Sequence, residues 1–171
     1  MKDNTFIVEK KISPISNELI DNYINIENSF YKLFSVYQDS LEKIDLKQKW
    51  KVSNEDMKEI DRLSLKTESA FESYISIKSE LANQYERVFQ CTKQNEKIAK
   101  SYTYTIEDEL NLDSGRILFS EAKELFIADQ LILAIAKISQ AHSCFIKLIL
   151  TIRNRWLKMH HENFKILYQN N

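Results

Sequence analysis

An all-helical protein is expected from this sequence, on three grounds. Its 171 residues hold one Gly and one Pro, whereas sheets need turn residues every few positions and α/β folds need Gly-bearing loops. Apolar residues recur at alternating spacings of three and four over long stretches, the period of a helix packed along its length. The chain is 43% hydrophobic and 29% charged, which is ample for the core of one domain. The isolated Gly115 also excludes the phosphate-cradling loops of nucleotide-binding enzymes, which need two or three glycines close together.

Residues 1–13 read as an N-terminal arm with a short apolar run at Phe6, Ile7 and Val8. Ser13-Pro14 reads as a helix start, with Ser as cap and Pro in the first turn, where its missing N–H costs nothing. A first helix over about 14–51 follows from Leu19, Tyr23, Ile26, Phe30, Leu33, Tyr37 and Ile44, with Ile20, Ile24, Phe34 and Leu41 widening the stripe. Ser53-Asn54-Glu55-Asp56 has the chemistry of a cap with an acidic first turn. It opens a second helix over about 54–101, carried by Met57, Ile60, Leu63, Phe71, Tyr74, Leu81, Tyr85, Val88 and Ile98. Thr67 and the polar run Thr92–Glu96 interrupt that stripe, so this helix is expected to be the most solvated, above all toward its end.

Ser101–Gly115 reads as a loop. Tyr102 to Thr105 are poor helix formers in a row, Asp113-Ser114-Gly115 is turn chemistry, and Thr105-Ile106-Glu107-Asp108 caps at most a short turn between them. A third helix is expected over about 116–168 with a regular seam of Leu131, Ile135, Ile138, His142, Phe145, Ile149, Ile152, Trp156 and Met159. The resulting expectation is a single helical domain over 14–171, built as three long helices in an antiparallel coiled-coil-like bundle. Such a narrow rod leaves apolar surface uncovered, so a dimer joined through the third helix is expected as well.

The net charge is −1, but its distribution is uneven. Residues 115–171 carry eight Lys/Arg against four Asp/Glu, and the remainder is acidic, which predicts acidic helices packed beside a basic one. Cys91 and Cys144 are the only cysteines and form no disulfide framework. Together with an arm that lacks an apolar run of signal length, they point to a reducing, cytoplasmic setting. Leu125–Ile152 is apolar enough to suggest a membrane span, yet it contains Asp129, Gln130, Lys137, Gln140, His142 and Lys147. A bilayer core penalises these residues, and a helix central to a bundle or buried in an oligomer suits them better.

The inventory for catalysis is thin. A helical metal site needs ligands three or four apart, and His142, His160 and His161 show no such pairing, so neither a metal nor a cofactor is expected. His160 and His161 diverge by about 100° around the helix. His142 and Cys144, two apart, face different sides. His142 falls on the seam and reads as a buried or interfacial histidine. Trp156, beside Arg153, Arg155 and Lys158, also lies on the seam, which favours packing over base stacking.

One cluster looks like a site: Arg153-Asn154-Arg155-Trp156-Leu157-Lys158-Met159-His160-His161. It resembles the Arg-polar…His signature of HEPN-domain ribonucleases, which are all-helical. The resemblance implies Arg153 or Arg155 acting with His160 on the 2′-hydroxyl and phosphate of RNA, across a dimer. Arg153 and His160 are seven apart and share a helix face. Read without the resemblance, the cluster is a basic helix end whose cations oppose the C-terminal dipole. The three-helix architecture is also similar to BAR-type domains, which implies an anionic membrane met by a basic patch of Lys147, Arg153, Arg155, Lys158 and Lys165. The leading expectation is non-enzymatic: a helical interaction or scaffold protein that self-associates through its seam and binds a protein partner.

Overall fold

The structure, a computed structural model, describes residues 7–47 and 51–169, the side chains of 164–169 excepted. The described residues form four helices and no strand: α1 (Asn17–Asp45), α2 (Asn54–Tyr102), α3 (Ile106–Ile127) and α4 (Leu131–Gln169). They divide into two compact units. Ile15–Asn83 contains α1 and the first part of α2. The second unit contains the described part of the arm, α2 from Gln84 onward, α3 and α4.

Side-chain caps explain where two of the four described helices begin. Ser53 Oγ accepts from the Asp56 backbone N–H at 3.1 Å, and the Asp56 carboxylate accepts from the Ser53 N–H at 2.9 Å, so α2 opens on the capping box expected for it. Thr105 and Asp108 make the same reciprocal pair. Their box opens the 22-residue α3 rather than a short turn. Residues 101–115 are therefore not a loop: only Thr103 to Thr105 separate α2 from α3. Gly115 lies inside α3, where it gives room to Phe145 of α4 rather than bending the chain. The first helix also starts later than expected, at Asn17 after the extended Ser16, and Pro14 remains in the arm. Ile15, just before that cap, is buried and anchors the entry of the chain into the helix.

The expected third helix is two helices, α3 and α4, which makes four in place of three. Asp129 adopts a left-handed backbone with φ 59°, the Gln130 N–H donates to the Leu125 carbonyl at 2.9 Å, and the Asp129 N–H donates to the Phe126 carbonyl at 3.1 Å. This is a Schellman ending with Asp in the place usually held by Gly, a position that a short polar side chain tolerates. No Gly or Pro marks the break. The chain then reverses, and α4 returns along α3 with Lys137 paired to Glu121 at 2.6 Å and Arg155 paired to Asp108.

In the two-helix unit, Phe30 is the centre. Its ring stacks on Tyr74 with centroids 5.3 Å apart and lies 5.4 Å from Phe71. Tyr23 donates to Glu27 at 2.6 Å, which satisfies its hydroxyl at the edge of the cluster. Two helices enclose no interior, so each buries one stripe and leaves the flanks of that stripe in solvent.

The three-helix unit has a real core. Leu112, Phe119 and Ala122 of α3 meet Ala134, Ile138, Ala141, Phe145 and Ile149 of α4, while Tyr85, Val88 and Ala99 close it from α2. Tyr85 is stacked on Phe126 at 4.3 Å and donates its hydroxyl to the Ala122 carbonyl at 3.1 Å. The end of α2 is not the solvated stretch expected: Thr92 and Asn95 are both fully buried. Such burial is tolerable because each side chain is hydrogen-bonded.

Candidate functional site

The arm is held by a cluster of polar groups from α2 and α4. Asn95 presents one carbonyl and one amino group, the complement of an extended backbone. The Lys10 N–H donates to Asn95 Oδ1 at 2.7 Å, and Asn95 Nδ2 donates to the Lys10 carbonyl at 2.9 Å. One turn earlier on α2, Cys91 Sγ donates to the same carbonyl at 3.2 Å. Burial pushes the Cys91 thiol up, which keeps it a protonated donor. The adjacent Glu9 side chain is almost completely buried and receives Arg153 of α4 at 3.0 Å. A hydrogen bond from its own backbone amide, followed by the Arg153 charge, holds the Glu9 carboxyl below its ordinary range despite burial.

A second clasp fixes the start of α3 to α4. Arg155 donates through both terminal nitrogens to Asp108, at 2.8 and 2.9 Å, in the fork geometry that suits a carboxylate. Tyr104 lies 5.1 Å from the guanidinium, face on. Asp108 is 1% exposed, and the Arg155 hydrogen bonds hold its carboxyl below the usual range.

His142 is half-buried on α4 and reaches Thr92 of α2. Thr92 donates its hydroxyl proton to the Val88 carbonyl at 2.7 Å. The contact of 3.1 Å to His142 therefore has Nδ1–H as donor and Thr92 Oγ1 as acceptor. Burial lowers the His142 pKa, so the folded chain holds the ring neutral. The unfolded chain takes up a proton as pH falls below about 6.5, and stability falls with it, because the folded state binds that proton less well. Urea midpoints should decline from pH 7 to pH 5 in the wild type, and His142→Gln should decline less over that interval.

The structure scatters the sequence-predicted site residues. Leu131, Ile135, Ile138, Phe145, Ile149 and Ile152 are 4% exposed or less, consumed by the core of their own unit. These six seam residues pack within their own unit. His142 is half-buried on the same stripe, and Trp156 is 38% exposed beyond the end of the core. The stretch Leu131–Asn163 has the length and hydropathy of a membrane span, and these buried seam residues supply much of that hydropathy.

Arg153 and Arg155, the candidate catalytic cations, are bound to Glu9 and Asp108. His160 is exposed and lies against Trp156, with ring centroids 4.0 Å apart. Of the basic patch, Lys147 and Lys158 are exposed, Arg153 and Arg155 are drawn inward, and the Lys165 side chain lies outside the described residues. Among the described residues, no group of three or more His, Cys, Asp or Glu is placed to hold a metal ion.

Glu9, Thr92, Asn95 and Asp108 were not legible as partners in the sequence. One signal for two of them is present: Leu81, Tyr85, Val88, Thr92, Asn95 and Ala99 keep the alternating four-three spacing, so the polar pair occupies core positions.

No protein-family model matches this chain, and no curated protein and no solved structure is significantly similar to it.

Proposed function

We propose that this protein is a non-enzymatic helical interaction module that self-associates and binds a protein partner, working in the cytoplasm. The observation that supports this reading is the aromatic flank of the two-helix unit. Tyr31, Phe34 and Phe71 lie against the buried Phe30–Tyr74 pair and remain between 37% and 54% exposed. Single exposed apolar residues are ordinary, but a contiguous aromatic group on one helix pair has the composition of an interface core. The simplest cover is the same flank of a second copy, which turns two helix pairs into a four-helix bundle related by a two-fold axis. The unpaired Cys91 and Cys144 suit a reducing compartment.

Sedimentation equilibrium tests the reading. The wild-type chain should pass from monomer to dimer over roughly 1–100 µM, the range of a weak to moderate interface. Phe34→Asp and Phe71→Asp should stay monomeric while keeping the helical circular dichroism of the wild type, because each adds a charge to the apolar contact. A wild-type chain that is monomeric throughout the range overturns self-association through this flank.

A further inference from the structure

We infer that the surface of α2 and α4 beneath the arm is a peptide-binding site, and that the arm is its resident ligand, replaceable by an extended acidic segment of another protein. This inference stands on residues separate from the aromatic flank. The clasp reads the backbone of one residue and the side chain of the one before it. Asn95 engages both the N–H and the C=O of Lys10, and neither bond depends on what side chain Lys10 carries. That residue is exposed, so any residue type except proline, which lacks the N–H donor, fits there. The preceding position is selective: Glu9 is buried and meets Arg153 at 3.0 Å, which calls for a carboxylate. The motif recognised is therefore an acidic residue, Glu in the arm, followed by any residue other than proline.

The way the arm is held favours exchange. Around the clasp it is neither helix nor strand, and Val8, next to Glu9, is 59% exposed. Backbone hydrogen bonds at Lys10 and a side-chain ion pair at Glu9, rather than a deep apolar anchor, hold this part of the arm. The arm also suits the site, since it satisfies both ends of the Asn95 amide, which is fully buried with the arm in place. A tethered arm competes at an effective concentration in the millimolar range, so a foreign segment binds weakly until the arm is loosened.

The test uses the full chain and a fluorescent synthetic peptide with the sequence of residues 7–14, followed by anisotropy. In the Glu9→Arg chain, Arg153 repels the resident arm, and the peptide should bind about tenfold more tightly than to the wild-type chain, as expected when an intramolecular competitor is weakened. A Glu9→Gln peptide should bind that chain about tenfold less well, the loss expected for a charge-assisted hydrogen bond. The Arg153→Glu chain, which also repels its own arm, should prefer a Glu9→Lys peptide to the native one. This reversal keeps the assignment testable without Asn95→Ala, a substitution in the core that endangers folding. Equal binding to the wild-type and Glu9→Arg chains, or no reversal in the Arg153→Glu chain, overturns the assignment. A wild-type dimer that Glu9→Arg abolishes also overturns it, in favour of arms exchanged between two copies. A dimer formed through the aromatic flank is indifferent to Glu9→Arg, so the two readings fail separately.

Discussion

Gly115→Val is expected to destabilise the three-helix unit by about 3 kcal/mol or more, the upper range for overpacking a filled core. A Cβ at Gly115 would stand 2.5 Å from Phe145 Cε1, 2.9 Å from Cζ and 3.0 Å from Cδ1. Real carbons do not approach so closely, so either the ring or the helix has to move. Phe145 is fully buried among well-packed neighbours, and its ring has nowhere to swing. Gly115→Ala is expected to cost less, because the gain of about 1 kcal/mol in helix propensity offsets part of the clash. Valine adds two methyl groups and a β-branch to the same contact and recovers less propensity. Urea denaturation measures both, and Phe145→Leu supplies the control. If the clash is the cause, the double variant Gly115→Ala/Phe145→Leu loses less stability than the two single losses added together. Strict additivity would mean that Gly115 serves α3 in some other way.

Asp108→Ala is expected to cost about 2–4 kcal/mol, because one substitution removes a cap and half of a buried ion pair. The carboxylate receives the Thr105 N–H at the start of α3 and both terminal nitrogens of Arg155. Asp108→Asn keeps an acceptor for the cap but not the charge, and should fall between wild type and alanine. A double-mutant cycle with Arg155→Ala should show coupling, since each single change strands the other partner. The pH dependence has a definite sign. Arg155 holds the Asp108 pKa below its unfolded value, so the contribution is complete above about pH 4 and is lost as the pH falls lower. Glu9 adds acid sensitivity of the same sign. The difference in stability between wild type and Asp108→Asn should therefore shrink from pH 6 toward pH 3, and a constant difference would count against the ion pair.

Arg153 and Arg155 show what a sequence cluster leaves unsaid. Two arginines and a histidine within eight residues of one helix have the residue types for phosphate chemistry, and the sequence holds no sign of their carboxylate partners. Arg153 finds Glu9 144 residues away, and Arg155 finds Asp108 47 residues away. The cations are thereby assigned to holding the arm and the start of α3.

Features carried by a few consecutive residues were legible before any fold was known. The scarcity of Gly and Pro and the four-three spacing made the chain helical, Ser53–Asp56 placed the start of α2, and the stripe from Leu131 to Ile152 named the buried face of α4. Caps and helical period are local, because they depend on hydrogen bonds and side-chain directions within one or two turns. Tertiary structure decided the rest. Gly115 looked like a turn residue and is a gap for Phe145. Thr92 and Asn95 looked solvated and are buried, because His142 and Lys10 arrive from 50 and 85 residues away to satisfy them. The break at Asp129 carries no Gly, so only the folded α3–α4 pair makes its left-handed turn worthwhile. A polar group can stay in a core only if its partner is there, and that partner is chosen by the fold rather than by its neighbours in sequence.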